Sequence, residues 1–168
     1  MNRLLITLLI SGLFTSCTGL TGKNDFYSYT RSGDLWRLPL AEPYELVSPT
    51  NTATDWFLIL KPHPVLHPDY LNTGDEFQLS SIDSVGKQKS VIVLHSTNVY
   101  WPRLAGSYKS TLILDTVSHK VWLFPDQQGE KIFSRLRELK VTDIQLWPIE
   151  PIVRMFQDSL KLPDGWRR

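Results

Sequence analysis

Short runs of apolar, aromatic and β-branched positions, separated by polar or proline-rich joints, dominate the middle of the chain. Runs of this length with such joints predict β-strands rather than helices. Pro39, Pro43 and Pro49 punctuate the first two runs, which favours edge or irregular strands at those places. The predicted strands cover residues 35–38, 44–47, 56–60, 76–82 and 91–94, with a polar turn at 86–89.

A β-hairpin is the clearest unit of the pattern. Residues 111–115 and 120–124 are apolar runs that flank a polar tip at 116–119. Two strand-like runs around a short polar tip are typical of an antiparallel hairpin.

Two amphipathic helices are predicted after the hairpin. Asp126 suits the N-cap of the first, and Pro151 suits the first turn of the second. A strand over 141–147 is predicted between them. Each helix carries an apolar stripe with a 3.6-residue period, so we expect both stripes to be buried against the sheet. The stripes are Ile132, Phe133, Leu136 and Leu139 in the first helix, and Ile152, Val153, Phe156 and Leu160 in the second.

These elements predict one α+β domain over residues 34–168. It is mainly an antiparallel β-sheet of about six to eight strands, with two C-terminal helices packed on it.

The N-terminal region has a different pattern. Arg3 precedes an apolar run over residues 4–14 that suits a secretory signal and is shorter than the ~20 residues of a membrane-spanning helix. Cys17, the only cysteine of the chain, follows directly behind the small residues Thr15 and Ser16. A single cysteine excludes an intramolecular disulfide framework.

This arrangement resembles the lipobox of bacterial lipoproteins over about the first 20 residues, although Phe14 stands where that family prefers leucine. The resemblance implies a signal peptide over residues 1–16 and a diacylated (palmitate-bearing) Cys17. It also implies membrane anchoring after export, at the outer membrane if the host has two membranes. The stretch over 17–33 begins rich in Gly, Ser and Thr and has no sustained period, so it is predicted to be a tether. The remaining domain loosely resembles small uncharacterised bacterial lipoproteins.

Charge narrows the range of partners. Removing residues 1–16 takes away Arg3 and leaves 17 basic and 17 acidic side chains. A balanced chain without a basic patch argues against nucleic acid as a partner. No glycine-rich phosphate cradle is present, and we expect no cofactor.

Histidines and carboxylates could hold a metal in a proline-rich stretch at 61–73. His63, His67 and Asp69 are zinc-compatible ligands, and such a site would support a metal-assisted hydrolase. The H-x3-H spacing needs a helix, however, and the flanking prolines prevent one, so solvated loop histidines are the favoured interpretation. His95, at the end of an apolar run, is predicted to hydrogen-bond to backbone at the edge of the core.

An aromatic stretch containing Tyr100, Trp101 and Arg103 has the composition of an interaction hot spot. The alternative, which we favour, is core packing at a strand edge, because aromatic residues are also common in strands. The leading hypothesis is a non-catalytic binding domain, anchored to the membrane by lipid, that contacts another envelope protein. An immunity-type lipoprotein that neutralises a toxin is a narrower form of it, and the metal-assisted hydrolase is the alternative.

Overall fold

The computed structural model describes residues 25–52, 55–60 and 77–167. Within them, two five-stranded antiparallel sheets and two helices confirm the predicted α+β class, with the helices at the C-terminal end. The first sheet has the order β1-β2-β3-β4-β5 and the second the order β10-β6-β7-β8-β9. The strands are β1 (Arg31–Ser32), β2 (Leu35–Ala41), β3 (Tyr44–Ser48), β4 (Phe57–Leu60), β5 (Phe77–Leu79), β6 (Ile82–Gln88), β7 (Val91–Trp101), β8 (Gly106–Asp115), β9 (Lys120–Pro125) and β10 (Trp147–Pro148). The helices are α1 (Gly129–Glu138) and α2 (Ile149–Ser159).

The two faces of the second sheet are both covered. Side chains on one face join the first sheet and α2 in a shared apolar core, in which Leu94, Leu112 and Leu123 occupy neighbouring strands. The alternate positions Val93, Ile113 and Trp122 belong to a smaller cluster with Leu136 of α1. Strands buried on both faces lose the alternation of polar and apolar residues, which explains the solid apolar runs of β7 to β9.

The predicted hairpin is confirmed and is longer than the sequence suggested. In it, β8 pairs with β9 from Ser110↔Pro125 to Asp115↔Lys120. The predicted turn at 86–89 is wrong, because β6 continues to Gln88 and pairs there with Val91. The chain reverses at Lys89 and Ser90, where Lys89 adopts a positive φ of 55°.

The helical faces are correct only in part. Phe156 is completely buried and Leu136 is buried, but Phe133 is 63% exposed and Leu160 is also exposed. The second helix ends at Ser159, so Leu160 lies just beyond its last turn. In the first helix, Ile132 and Leu136 face the sheet, and Phe133 projects to the side of that contact.

A buried arginine binds backbone that lies before residue 34, where the predicted domain begins. Arg37 on β2 is 1% exposed, and its Nη1 donates to the carbonyl oxygens of Phe26 at 2.7 Å and Tyr29 at 3.1 Å. Its Nε donates to a carboxylate oxygen of Glu45 at 2.6 Å. The fold therefore includes residues that the sequence analysis assigned to the tether.

Candidate functional site

Some predicted site residues lie outside the part of the chain that the structure describes. These are the proposed lipid attachment residue Cys17 and the metal candidates His63, His67 and Asp69. Within residues 25–52, 55–60 and 77–167, no three His, Cys, Asp or Glu side chains converge on one point that could hold a metal ion. Within the same residues, no helix is long and apolar enough to cross a membrane.

The aromatic stretch is divided between core and surface. Trp101 is fully buried, and its indole Nε1 donates to Ser110 Oγ at 2.9 Å. Tyr100 is 60% exposed, and Arg103 is also exposed. Trp101 is therefore a core residue, which agrees with the favoured core-packing interpretation, and its place in the possible binding loop is wrong. Tyr100 and Arg103 stay at the surface.

His95 lies between two carboxylates. Its Nδ1 is 2.7 Å from Asp83 Oδ1, and its Nε2 is 2.9 Å from Asp126 Oδ2. With an acceptor on each ring nitrogen, the imidazole is best satisfied when both nitrogens carry a proton. Burial lowers the pKa of His95, but the hydrogen bonds and charges of Asp83 and Asp126 outweigh it, and the net shift is upward.

This arrangement corrects two predictions. His95 uses carboxylates rather than backbone, and Asp126 does not cap the first helix, which begins later at Gly129. The Asp126 carboxylate instead accepts from His95 and, at 3.1 Å, from Thr111 Oγ1. The cluster links β6, β7 and β8 to the turn that precedes α1, and we interpret it as a structural clamp. His119, at the hairpin tip, hydrogen-bonds to the Tyr44 hydroxyl at 2.6 Å, which joins the two sheets.

A cleft at the edge of the second sheet is the candidate binding site, named here the Trp147 cleft. Its volume is about 480 Å³. Three stretches of chain form it: the end of β6, the segment leading into β10 with the adjoining turns of α2, and the C-terminal segment. Its lining residues are Lys87, Gln88, Asp143, Ile144, Gln145, Trp147, Pro151, Ile152, Met155, Pro163, Asp164 and Trp166.

A glycine sets the position of the middle stretch. A Cβ added to Gly86 on β6 would lie 2.5 Å from the backbone oxygen of Gln145. Residues 144–146 therefore pass against β6 at Gly86, and of the residues 141–148 only Trp147 and Pro148 pair with it, opposite Val85 and Ser84. The strand predicted over 141–147 is thus reduced to its end, and the segment before it forms one wall of the cleft.

The floor of the cleft is apolar and its rim is partly exposed. Ile152 and Trp166 are buried, whereas Trp147 is 41% exposed and Met155 is half-buried. Trp166 is held in place by its backbone, because its carbonyl oxygen accepts from Lys87 Nζ and its N–H donates to Pro163 O at 3.2 Å.

The charged side chains of the cleft differ in their interactions with the rest of the protein. Lys87 is half-buried, its ammonium donates to the Trp166 carbonyl, and burial lowers its pKa. Asp143 and Asp164 are exposed, and neither forms an ion pair within the described part of the chain. Two carboxylates against one ammonium leave the described lining of the cleft with a net charge of −1.

A second groove of about 520 Å³ continues from the Trp147 cleft, since both are lined by Met155, Pro163 and Asp164. Its other lining residues include Lys161 and Arg167. The guanidinium carbon of Arg167 lies 5.9 Å from the ring centroid of Tyr27. Arg167 thus contacts both the second groove and the N-terminal part of the described chain.

Sequence reasoning missed the Trp147 cleft. Its residues come from stretches about 60 positions apart, around Lys87 and around Trp147, and each stretch on its own has an ordinary strand or helix pattern. The one available signal was Trp147 next to Pro148, because an aromatic residue beside a strand-breaking proline is suited to a sheet edge.

Comparison with known protein families, with curated proteins and with solved structures found no match to this chain.

Proposed function

We propose that this protein is an exported lipoprotein whose domain binds another envelope protein through the Trp147 cleft. The anchor is a diacylated Cys17, exposed by cleavage of residues 1–16, and the membrane is the outer one where the host has two. The proposal has no catalytic step and no cofactor, and a toxin-neutralising immunity role is a narrower form of it.

The anchor is supported by the sequence. A short apolar run ends directly before the only cysteine of the chain, behind two small residues. One acyl chain gives only marginal membrane binding, at ~0.8 kcal/mol per buried CH₂, whereas two or three chains hold a protein stably. Eight residue steps separate Cys17 from Asp25, where the described fold begins. Their reach is at most about 30 Å, which would keep the domain close to the lipid surface.

The observation that carries the binding role is the composition and shape of the Trp147 cleft. Tryptophan and methionine are enriched at protein interfaces, and charged groups at the rim of an apolar centre are usual there. Trp147 and Met155 stand at the opening over a floor of Ile152 and Trp166. Trp147 is 41% exposed at a concave site. A partner that covers so large a ring removes much apolar surface from water, which favours binding.

Site-specific photo-cross-linking in living cells tests the contact site. A benzophenone amino acid would replace Met155, with replacement of the exposed Phe133 on α1 as the matched control and of Tyr100 as a probe of the aromatic stretch. We expect a discrete higher-mass adduct from position 155 and none from 133. Adducts from position 100 alone, or no adduct from 155, would contradict the Trp147 cleft as the contact site.

Metabolic labelling with palmitate tests the anchor. The full-length chain should incorporate label and sediment with membranes, whereas Cys17→Ala should not, since the chain has no other thiol. Label retained in the Cys17→Ala protein would contradict lipidation at this residue.

A further inference from the structure

We propose that the Trp147 cleft receives a partner segment in which an apolar side chain stands next to a basic one. This inference rests on the proposed binding function and adds to it the chemistry of the bound segment.

The size of the cleft indicates that it binds individual side chains of a partner rather than a broad protein surface. A volume of about 480 Å³ lies in the lower part of the ~300–1,000 Å³ range of ligand pockets. Its apolar surface includes the rigid rings of Trp147 and Trp166 and the prolines Pro151 and Pro163. A cavity of this kind suits one or two apolar side chains that project from an extended segment.

The exposed charge of the cleft indicates which ligand side chain should stand next to the apolar one. Asp143 and Asp164 lie at its exposed rim without an ion-pair partner in residues 25–52, 55–60 and 77–167. The one cationic side chain among the lining residues, Lys87, donates to the Trp166 carbonyl inside the protein. An incoming ammonium or guanidinium group would therefore meet two exposed carboxylates, opposed only by the one positive charge of Lys87 among the described lining residues.

The exposed ring of Trp147 favours the same ligand. A cation within about 6 Å of an indole face is attracted by the ring quadrupole, and tryptophan is the strongest of the aromatic residues in this respect. A basic side chain at the rim would be attracted by this face as well as by the carboxylates that line the same cleft, while its apolar neighbour fills the floor.

The adjoining groove shares Asp164 with the cleft, but two basic side chains give its described lining a net positive charge. Lys161 and Arg167 line that groove and do not line the Trp147 cleft. An acidic ligand group would therefore be drawn past Met155 into the second groove. This separation makes the charge preference of the Trp147 cleft a local property that substitution of its two carboxylates can remove.

Fluorine NMR of the full-length protein in phosphatidylcholine nanodiscs tests the inference. Labelling with 5-fluorotryptophan gives one signal for each of six tryptophans, and Trp147→Phe assigns the signal of interest. The probes are N-acetyl-Leu-Lys-amide, the matched Leu-Glu amide and the Ser-Lys amide, each titrated into the millimolar range. The zwitterionic lipid avoids drawing the basic probe to the membrane.

We expect the Leu-Lys probe to shift the Trp147 signal saturably, with an affinity at least about threefold above that of the Leu-Glu and Ser-Lys probes. Exposed ion pairs are individually weak, so the preference should be modest and should fall with salt. Asp143→Asn together with Asp164→Asn should remove the preference for Leu-Lys over Leu-Glu. Asp158→Asn, an exposed change on α2 outside the lining, should leave it intact.

Two results would overturn the inference. Equal or tighter binding of the Leu-Glu probe would refute the charge preference. Failure of every probe to shift the Trp147 signal would refute the apolar-basic segment as the occupant. Neither result depends on the adduct expected at position 155, so the proposed function is tested separately.

Discussion

Replacing Phe156 by alanine probes the packing of α2 on the shared core. The Phe156 ring is 0% exposed and belongs to the cluster that both sheets build, with Ile152 and Trp166 in the same cluster. Deleting a buried phenylalanine ring typically costs about 3–5 kcal/mol, from lost transfer energy and the cavity left behind. Since whole domains are stable by about 5–15 kcal/mol, this is a large part of the free energy of unfolding.

The matched control is Phe133→Ala on α1. Its ring is 63% exposed, so its loss should change the free energy of unfolding by no more than about 0.5 kcal/mol. Equilibrium urea unfolding, followed by tryptophan fluorescence, measures both variants on one scale. A cost below about 1 kcal/mol for Phe156→Ala, or a similar cost for the two variants, would refute the assigned packing.

Three further predictions concern the His95 clamp, the aromatic stretch at Tyr100 and Trp101, and the absence of bound zinc. Because the carboxylates raise the folded-state pKa of His95 above its ordinary value of 6.5, their stabilisation is complete below that value and is lost as pH rises through the raised pKa. The advantage of the wild type over His95→Gln in free energy of unfolding should therefore be larger at pH 5.5 than at pH 8.5, and a constant difference would contradict the clamp. Trp101→Phe should cost about 1 kcal/mol or more in urea unfolding, since it removes the hydrogen bond to Ser110, while Tyr100→Ala should be nearly neutral. Elemental analysis of the untagged full-length protein should find no bound zinc, and one equivalent that is lost in His63→Ala would favour the hydrolase alternative.

Local patterns predicted the secondary structure better than the buried faces. The hairpin around residues 116–119 was readable because its strands and turn are neighbours in sequence. The first helix was also readable, but Ile132 and Phe133 are adjacent, and periodicity alone does not say which of them faces the sheet. The structure gives that place to Ile132 and leaves Phe133 exposed.

The candidate site depends on contacts between distant stretches, which explains why sequence reasoning did not find it. The approach of Gln145 to Gly86 and the bond from Lys87 to the Trp166 carbonyl join residues that are 59 and 79 positions apart. The carboxylate partners of His95 are likewise 12 and 31 positions away from it. Each partner is unremarkable in its own segment, so only the fold shows the combination.

Hydroxyl-radical footprinting tests the central claim, that the Trp147 cleft is the contact surface of a membrane-anchored domain. Trp147 and Met155 are readily oxidised side chains at the opening of the cleft, and the exposed Tyr100 and Phe133 serve as internal references. The full-length protein would be labelled once in native membranes, with its partners present, and once after purification into nanodiscs. We predict that Trp147 and Met155 are protected in native membranes and become labelled in nanodiscs, while both references are labelled equally in the two samples. Equal labelling of Trp147 and Met155 in the two samples would contradict the claim.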